Sequence, residues 1–258
     1  MKINFKLLGT FETACILDWS SKETHGVLPL SESTFNLYPE LRDKIDISLD
    51  NTNLIYEIIK DRIDDFNKKN KSILNQYQNL WNQYNDQYIK IMEDYFGVKI
   101  NNDVNAYLGL LPVCPRFIKE LMFYYDKCDN IRFIDICMHE LCHFYFFEVC
   151  KGLFKDWTYD DFNNPSLLWY LSEIAIDAIL NREEIQKIFK HQFRCYDNFY
   201  NLYINGECIV DIIKNIFDNN DMEVAIKECL QFLKDNEIEF RNKCEGEDKM
   251  SNINVRKI

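Results

Sequence analysis

The sequence predicts a mostly helical α+β fold, in which a small mixed sheet is packed on a buried helix. Three observations support this class. The 258 residues include only 7 glycines and 5 prolines, which disfavours turn-dense all-β architectures. Apolar residues recur at helical spacing through residues 51–96 and again from about residue 131. Short segments near residues 3–7 and 104–110 alternate between apolar and polar residues, as half-buried strands do.

The first 50 residues are expected to form short strands and loops. Ile3, Phe5 and Leu7 alternate with polar residues, and this pattern predicts a strand. A similar alternation over residues 11–15, after Gly9, predicts that the strand continues into a β-hairpin.

Residues 51–96 carry two apolar stripes at helical spacing. The polar run Asn67–Lys71 between them predicts a link, and therefore an N-terminal antiparallel helical hairpin. One long bent helix is the alternative. Gly97 is well placed to end the second helix, because glycine readily adopts the left-handed conformation that follows a helix.

Residues 104–125 return to the alternating pattern of strands. Val104–Pro112 and Leu121–Tyr125 are the predicted strands, and helices follow to the end of the sequence. The change of pattern near residue 100 suggests two parts, 1–100 and 101–258, although a single domain is also possible.

Charge and composition disfavour several classes of partner. The chain carries 30 Lys and Arg against 42 Asp and Glu, a net charge of −12, which disfavours binding to nucleic acid or to an anionic membrane. No signal-peptide pattern or apolar run of membrane-spanning length occurs, so we expect a cytoplasmic protein without a membrane anchor. None of the 10 cysteines forms a Cys-x-x-Cys pair, so we expect reduced, mostly buried thiols.

A strongly apolar helix predicted at about Ile131–Cys150, and capped by Asp129 or Asn130, contains His139-Glu140-Leu141-Cys142-His143. Histidines four residues apart lie on the same helix face, where two neutral imidazoles can bind one zinc ion. Glu140 projects about 100° from His139, a direction suited to accepting a proton from a water that zinc activates. The motif therefore predicts a zinc site with Glu140 as a general base.

A catalytic zinc needs a third protein ligand and one open position. The best candidate lies on the next apolar helix, where Asn164 is the predicted cap and Pro165 the first residue. Glu173 and Asp177 are the interior acids of this helix and share one face. Burying two carboxylates without partners is costly. Binding to zinc would remove this cost for Glu173, and a hydrogen bond to a ligand imidazole would remove it for Asp177 while orienting that imidazole. Acids hydrogen-bonded in a polar pocket are the alternative.

Two other acids on the first helix could belong to the site. Glu148 is close to His143 in sequence, but it points away from the metal face and is expected to be a surface acid. Asp135 lies one turn before His139 and could orient its ring, or it could be a first-turn acid favoured by the helix dipole.

The pattern His139-Glu140-x-x-His143 followed by Glu173-x-x-x-Asp177 resembles the gluzincin branch of zinc metallopeptidases, over roughly residues 100–180. The resemblance implies a zincin-like fold, with His139, His143 and Glu173 as zinc ligands and Asp177 supporting a ligand. The 29 residues between His143 and Glu173 (144–172) exceed the spacing of thermolysin-like enzymes. Leu-Cys inside the motif also resembles SprT-like proteases, but no third histidine follows closely.

The resemblance implies hydrolysis of a peptide or protein substrate, in which a metal-activated water attacks the carbonyl and Glu140 is the general base. Residues after the second helix could stabilise the oxyanion, and His191 and Tyr200 are preferred. In zincins an edge strand pairs with extended substrate, and Val104–Pro112 is either that strand or an ordinary core strand. A catalytically idle zinc-binding regulatory module is the second hypothesis. Other possible oxyanion donors are Arg116, Arg194, Tyr196 and Tyr203.

Overall fold

The protein is described by a computed structural model that covers residues 1–21, 32–45, 50–111 and 114–251. Within these ranges it is mostly helical, with a small mixed sheet, as predicted. The chain divides into two compact units, Met1–Ile89 with Ile100–Glu140 and Lys90–Lys99 with Leu141–Ile258. This division does not fall at the predicted boundary near residue 100.

Strands and helices of the described residues are numbered in chain order. The strands are β1 (Ile3–Leu7), β2 (Val104–Gly109), β3 (Arg116–Phe117), β4 (Met122–Asp126), β5 (Tyr203–Ile204) and β6 (Glu207–Cys208). The helices are α1 (Thr10–Ser21), α2 (Glu32–Leu37), α3 (Thr52–Trp81), α4 (Asn85–Phe96), α5 (Asn130–Leu153), α6 (Leu167–Leu180), α7 (Glu183–Ile188), α8 (Ile209–Asn219), α9 (Met222–Asp235) and α10 (Glu237–Ser251). Short 3-10 helices occur at Pro39–Leu41, Tyr159–Phe162 and Asp197–Asn201.

The sheet of the first unit has the strand order β1-β2-β4-β3. β1, β2 and β4 run parallel, and β3 pairs antiparallel with β4. Because β2 lies between two strands, it has no open edge for an extended substrate, and the expectation of an edge strand at Val104–Pro112 is wrong. The alternative, a core strand, is correct for Val104–Gly109, whereas Pro112 lies outside the described residues.

The predicted hairpin after Gly9 is also wrong, because residues 10–21 form α1. Burial follows a helical period there: Ala14 and Leu17 are inside, whereas Phe11 is exposed. Thr13 starts the helix by donating from its backbone N–H and its hydroxyl to the carbonyl of Gly9. β1 pairs with β2, which lies about 100 residues later in the chain. A local pattern of alternation cannot indicate such a distant pairing.

The predicted link at Asn67–Lys71 lies inside α3, a continuous helix of 30 residues, so the hairpin with its link there is wrong. The alternative, one long helix, holds only as far as Trp81, because α4 begins separately at Asn85. The polar run contains neither glycine nor proline, and its side chains form helical contacts. Lys69 pairs with Asp65 at 2.5 Å, and the Asn70 amide donates to the carbonyl of Phe66 at 2.8 Å.

The apolar side of α3 packs on α1 and β1 in the first unit. Asp18 of α1 accepts hydrogen bonds from the Asn51 N–H and the Thr52 hydroxyl, which joins it to the start of α3. The fully buried members of this core are Ala14, Leu17, Tyr38, Leu41, Ile55, Ile59 and Ile63.

In the second unit, α6 packs against α8 and α9, which also pack against each other. Almost every residue of α6 is buried, so its acidic side chains are inside as well. Gly97 follows α4 with a φ of +67° and donates its N–H to the carbonyl of Glu93, which confirms the predicted helix end.

Among the described residues, no helix combines the length and apolar character needed to cross a bilayer. No disulfide bond joins the cysteines in the described part of the chain, and six of the thiols are buried. These six are Cys137, Cys142, Cys150, Cys195, Cys229 and Cys244.

Candidate metal centre

Helix α5 begins where the sequence predicts, because Asp129 caps it. The Asp129 Oδ1 atom accepts hydrogen bonds from the backbone N–H groups of Ile131 at 2.8 Å and Arg132 at 3.0 Å. The N-terminal half of α5 packs on the first unit's core through Phe133, which stacks on Tyr77 at a centroid distance of 4.0 Å. The helix is therefore fixed at its start, before the histidines.

The motif lies on the buried part of α5. The exposed fraction is 1% for His143 and 4% for Glu140, whereas His139 is half-buried. The Tyr88 hydroxyl donates to the carbonyl of Met138 at 2.5 Å, directly before the motif. The two histidines are one turn apart, so their rings leave the helix on the same side.

Helix α6 supplies the buried acids. Ser166, rather than the predicted Asn164, is its cap, because the Ser166 hydroxyl accepts the Trp169 N–H at 3.0 Å and the helix begins two residues later than expected. Glu173 and Asp177 are both buried within it, as the sequence predicts. Glu173 is 1% exposed.

The ligand atoms of His139, His143 and Glu173 all lie within 4.8 Å of one another. Within this group, the His143 Nε2 and Glu173 Oε2 atoms are 3.5 Å apart. Two atoms bound to a tetrahedral zinc at about 2.0–2.1 Å are about 3.3–3.4 Å apart. A charge-assisted hydrogen bond is shorter, about 2.7–2.9 Å. The separation of these two atoms therefore fits two ligands of one ion better than a direct ion pair.

The His143 ring packs against an aromatic side chain, which packs against a second one. Phe147, one turn later, lies nearly parallel to it at a centroid distance of 6.3 Å, and Phe162 packs on Phe147 at 4.6 Å. A carboxylate buried next to such a surface loses its hydration, which is costly unless a cation compensates. A metal ion bound by Glu173 would provide that compensation.

Glu140 projects from α5 toward Arg116 of β3. The Arg116 Nη1 atom is 3.9 Å from the Glu140 Oε2 atom, and the two side chains are only 10% and 6% exposed. Arg116 is one of the residues predicted as oxyanion donors, but the sequence gives no indication that it adjoins Glu140. The two residues are 24 positions apart on a short strand and a helix, and no local pattern relates them.

Asp177 accepts a hydrogen bond from the Tyr200 hydroxyl at 2.5 Å. The pKa of Tyr200 is raised above its ordinary value of 10. Burial is the largest cause, and the hydrogen bond to Asp177 is the next largest. The guanidinium of Arg194 lies over the Tyr200 ring at 4.2 Å. The support that Asp177 gives to a ligand imidazole stays a prediction, as does the role of Tyr200 as an oxyanion donor.

The contacts of the other predicted residues differ from one residue to the next. The His191 ring packs between Phe189 and Phe193 at centroid distances of 5.3 and 5.1 Å, and its catalytic role stays a prediction. Tyr196 and Tyr203 are exposed. Glu148 pairs with Lys151 at 2.9 Å near the surface, as expected of an acid that points away from the metal face.

The chain was compared with protein-family models, curated proteins and solved structures, and none of them gives a significant match. The case for a function therefore depends on the geometry of the site.

Proposed function

We propose that this chain is a zinc-dependent metallopeptidase of the gluzincin type, in which His139, His143 and Glu173 hold the metal and Glu140 is the general base. The observation that carries the proposal is the convergence of these three ligand atoms to within 4.8 Å in a largely buried place. Two ligands come from α5 and the third comes from α6, 30 residues after His143.

The donor set indicates which metal to expect. Two imidazoles and one carboxylate form the ligand set of many catalytic zinc sites, in which a fourth position is left for water or substrate. Bound zinc supplies a Lewis acid that polarises a carbonyl and makes water more acidic. Cys142 lies within the motif but not in the ligand group, so the described residues provide three ligands rather than a closed set of four.

The residues of the chain then account for the proton movements. Glu140 takes a proton from the attacking water while the water oxygen bonds to the peptide carbonyl carbon. When the C–N bond breaks, the same carboxylic acid gives the proton to the departing amine, so Glu140 ends the cycle as a carboxylate. The half-buried position of His139 supports access of substrate to this end of the ligand group.

The proposal is tested by peptide hydrolysis with purified protein loaded with zinc. We expect cleavage of a mixed peptide library, loss of cleavage when a chelator removes the metal, and recovery when zinc is restored. Glu140→Gln should keep its zinc but lower kcat/KM by about 10²–10⁴-fold, because the general base is lost. Glu148→Gln is the matched control, since Glu148 lies on the same helix but near the surface, and it should retain full activity.

Zinc-loaded wild-type protein that cleaves no peptide would contradict the proposal. It would leave the zinc-binding regulatory module as the better account of the same three ligands.

A further inference from the structure

The ion pair between Arg116 and Glu140 is buried. Both charged side chains are nearly removed from water, at 10% and 6% exposure, and their nearest charged atoms are 3.9 Å apart. The Arg132–Asp126 pair in the same unit has side chains that are 38% and 17% exposed. Screening by water is weak for the buried pair, so the two charges interact more strongly than charges at the surface do.

The backbone holds Arg116 in place. β3 pairs with β4 so that Arg116 lies opposite Phe123, which is fully buried. The N–H of Tyr124 donates to the carbonyl of Pro115 at 3.0 Å, immediately before Arg116. The turn that joins the two strands includes Leu121 with a φ of +50°. The base of the arginine side chain is therefore fixed by the sheet, whereas Glu140 is fixed by α5.

We propose that Arg116 is a positioning residue for the general base: it holds the Glu140 carboxylate in the orientation needed for proton transfer. This inference rests on the proposed function. Arginine suits the role because its guanidinium stays protonated and its donors form a rigid planar group. Arg116 neither gives nor takes a proton, and it acts only through Glu140.

The direct role of Arg116 as an oxyanion donor predicts a different result. A donor that touches the substrate contributes whether or not Glu140 is present. A positioning residue contributes nothing once its target is removed, since the two substitutions then interrupt the same interaction. Arg116→Gln in the Glu140→Gln background therefore separates the two roles.

The experiment measures kinetics and zinc content for Arg116→Gln, Arg116→Lys, Glu140→Gln and the double variant. Arg132→Gln is the control, because it removes a more exposed arginine of the same unit. We expect Arg116→Gln to lower kcat about 10–100-fold, with KM within about 3-fold and one zinc per chain retained, because a displaced base costs rate rather than binding. Arg116→Lys should recover part of the loss, and Arg132→Gln should match the wild type.

In the Glu140→Gln background, Arg116→Gln should cause no further loss of residual activity. A further loss of 10-fold or more would assign Arg116 to direct contact with the substrate and overturn the positioning role. Unchanged kcat for Arg116→Gln alone would overturn it too. If Arg116→Gln does not fold, Arg116→Lys, which keeps the buried charge, replaces it in the comparison with Glu140→Gln. The expected loss of kcat is then smaller.

A measurement without turnover tests the contact itself. The urea midpoints of the two single variants should both fall, and the double variant should fall by less than the sum, because each single change leaves one buried charge without its counterpart. Additive midpoints would overturn the proposal. Wild-type protein that cleaves no peptide would instead overturn the proposed function together with the catalytic part of this inference.

Discussion

Asp177 is the acid on α6 that follows Glu173 by one turn, and its carboxylate accepts a hydrogen bond from Tyr200. The Tyr200 hydroxyl therefore faces a buried carboxylate rather than solvent. If Asp177 orients a ligand imidazole, Tyr200 stabilises the site indirectly, through Asp177.

We predict that Tyr200→Phe lowers the free energy of unfolding by about 1–3 kcal/mol, because it removes a hydrogen bond to a buried charged group. Zinc affinity should fall about 10-fold as the Asp177 carboxylate loses its orientation. Urea denaturation and competition with a zinc chelator measure the two effects. Tyr203→Phe is the matched control, since Tyr203 is exposed, and it should change neither. Equal stability and affinity for Tyr200→Phe and wild type would show that this hydrogen bond is unimportant.

At the scale of single elements, the continuity of α3 is the feature that sequence reasoning misjudged. Residues 67–71 are polar, and polarity suggested a link, but a helix accommodates such a run: its lysines are exposed, and the buried Asn70 amide donates to the carbonyl of Phe66. Helical hydrogen bonding and the Lys69–Asp65 pair show that the helix continues through it.

We predict that Lys69→Pro lowers the free energy of unfolding by about 3 kcal/mol or more, because proline removes a helical hydrogen bond and clashes with the preceding turn. Lys69→Ala is the control: it removes only the exposed ion pair with Asp65 and should change stability by no more than about 0.5 kcal/mol. Circular dichroism and urea denaturation measure both variants. Equal stability of the two variants would support a link at 67–71 instead.

The sequence predicts α5 and α6 well, and the reason is physical. Both helices are apolar nearly all round and contain few polar residues, so their burial and their interior acids can be read from local pattern. The cap of α5 was identified as well, whereas the cap of α6 is Ser166 and not the predicted Asn164. The expected hairpin after Gly9 failed because strand pairing is not local. β1 pairs with β2 across about 100 residues, and a stretch as short as 11–15 fits a helix or a strand equally well.

For the site, the three proposed ligands can be chosen from the motif and from the cost of burying Glu173. The contact between Arg116 and Glu140 does not, because it depends on how β3 pairs with β4 and where α5 then lies. No spacing along the chain encodes that arrangement.

At the scale of the whole molecule, deeply buried thiols make stability depend on pH. Burial raises the pKa of Cys150 and Cys229 well above the ordinary value of 9, and it raises the pKa of Cys195 to about 12. A thiol that ionises only in the unfolded chain stabilises the folded state fully below about pH 9, and this contribution is lost as pH rises from 9 toward 12.

We predict that the free energy of unfolding falls above pH 9, by about 1.4 kcal/mol per pH unit for each such thiol. Urea denaturation at pH 8.0, 9.5 and 10.5 measures the decline. Cys150→Ala should show a shallower decline than the wild type, because one of the thiols is absent. Constant stability over this range, or the same slope in both proteins, would contradict the prediction.

Zinc binding tests the central claim most directly, by comparing metal content and affinity of the wild type, Glu173→Ala and the control Glu148→Ala. A joint site on α5 and α6 predicts one zinc per chain in the wild type and in Glu148→Ala, and an affinity at least about 100-fold weaker in Glu173→Ala, because an inner ligand is lost. Equal zinc affinity in all three proteins, or no zinc in the wild type, would contradict it.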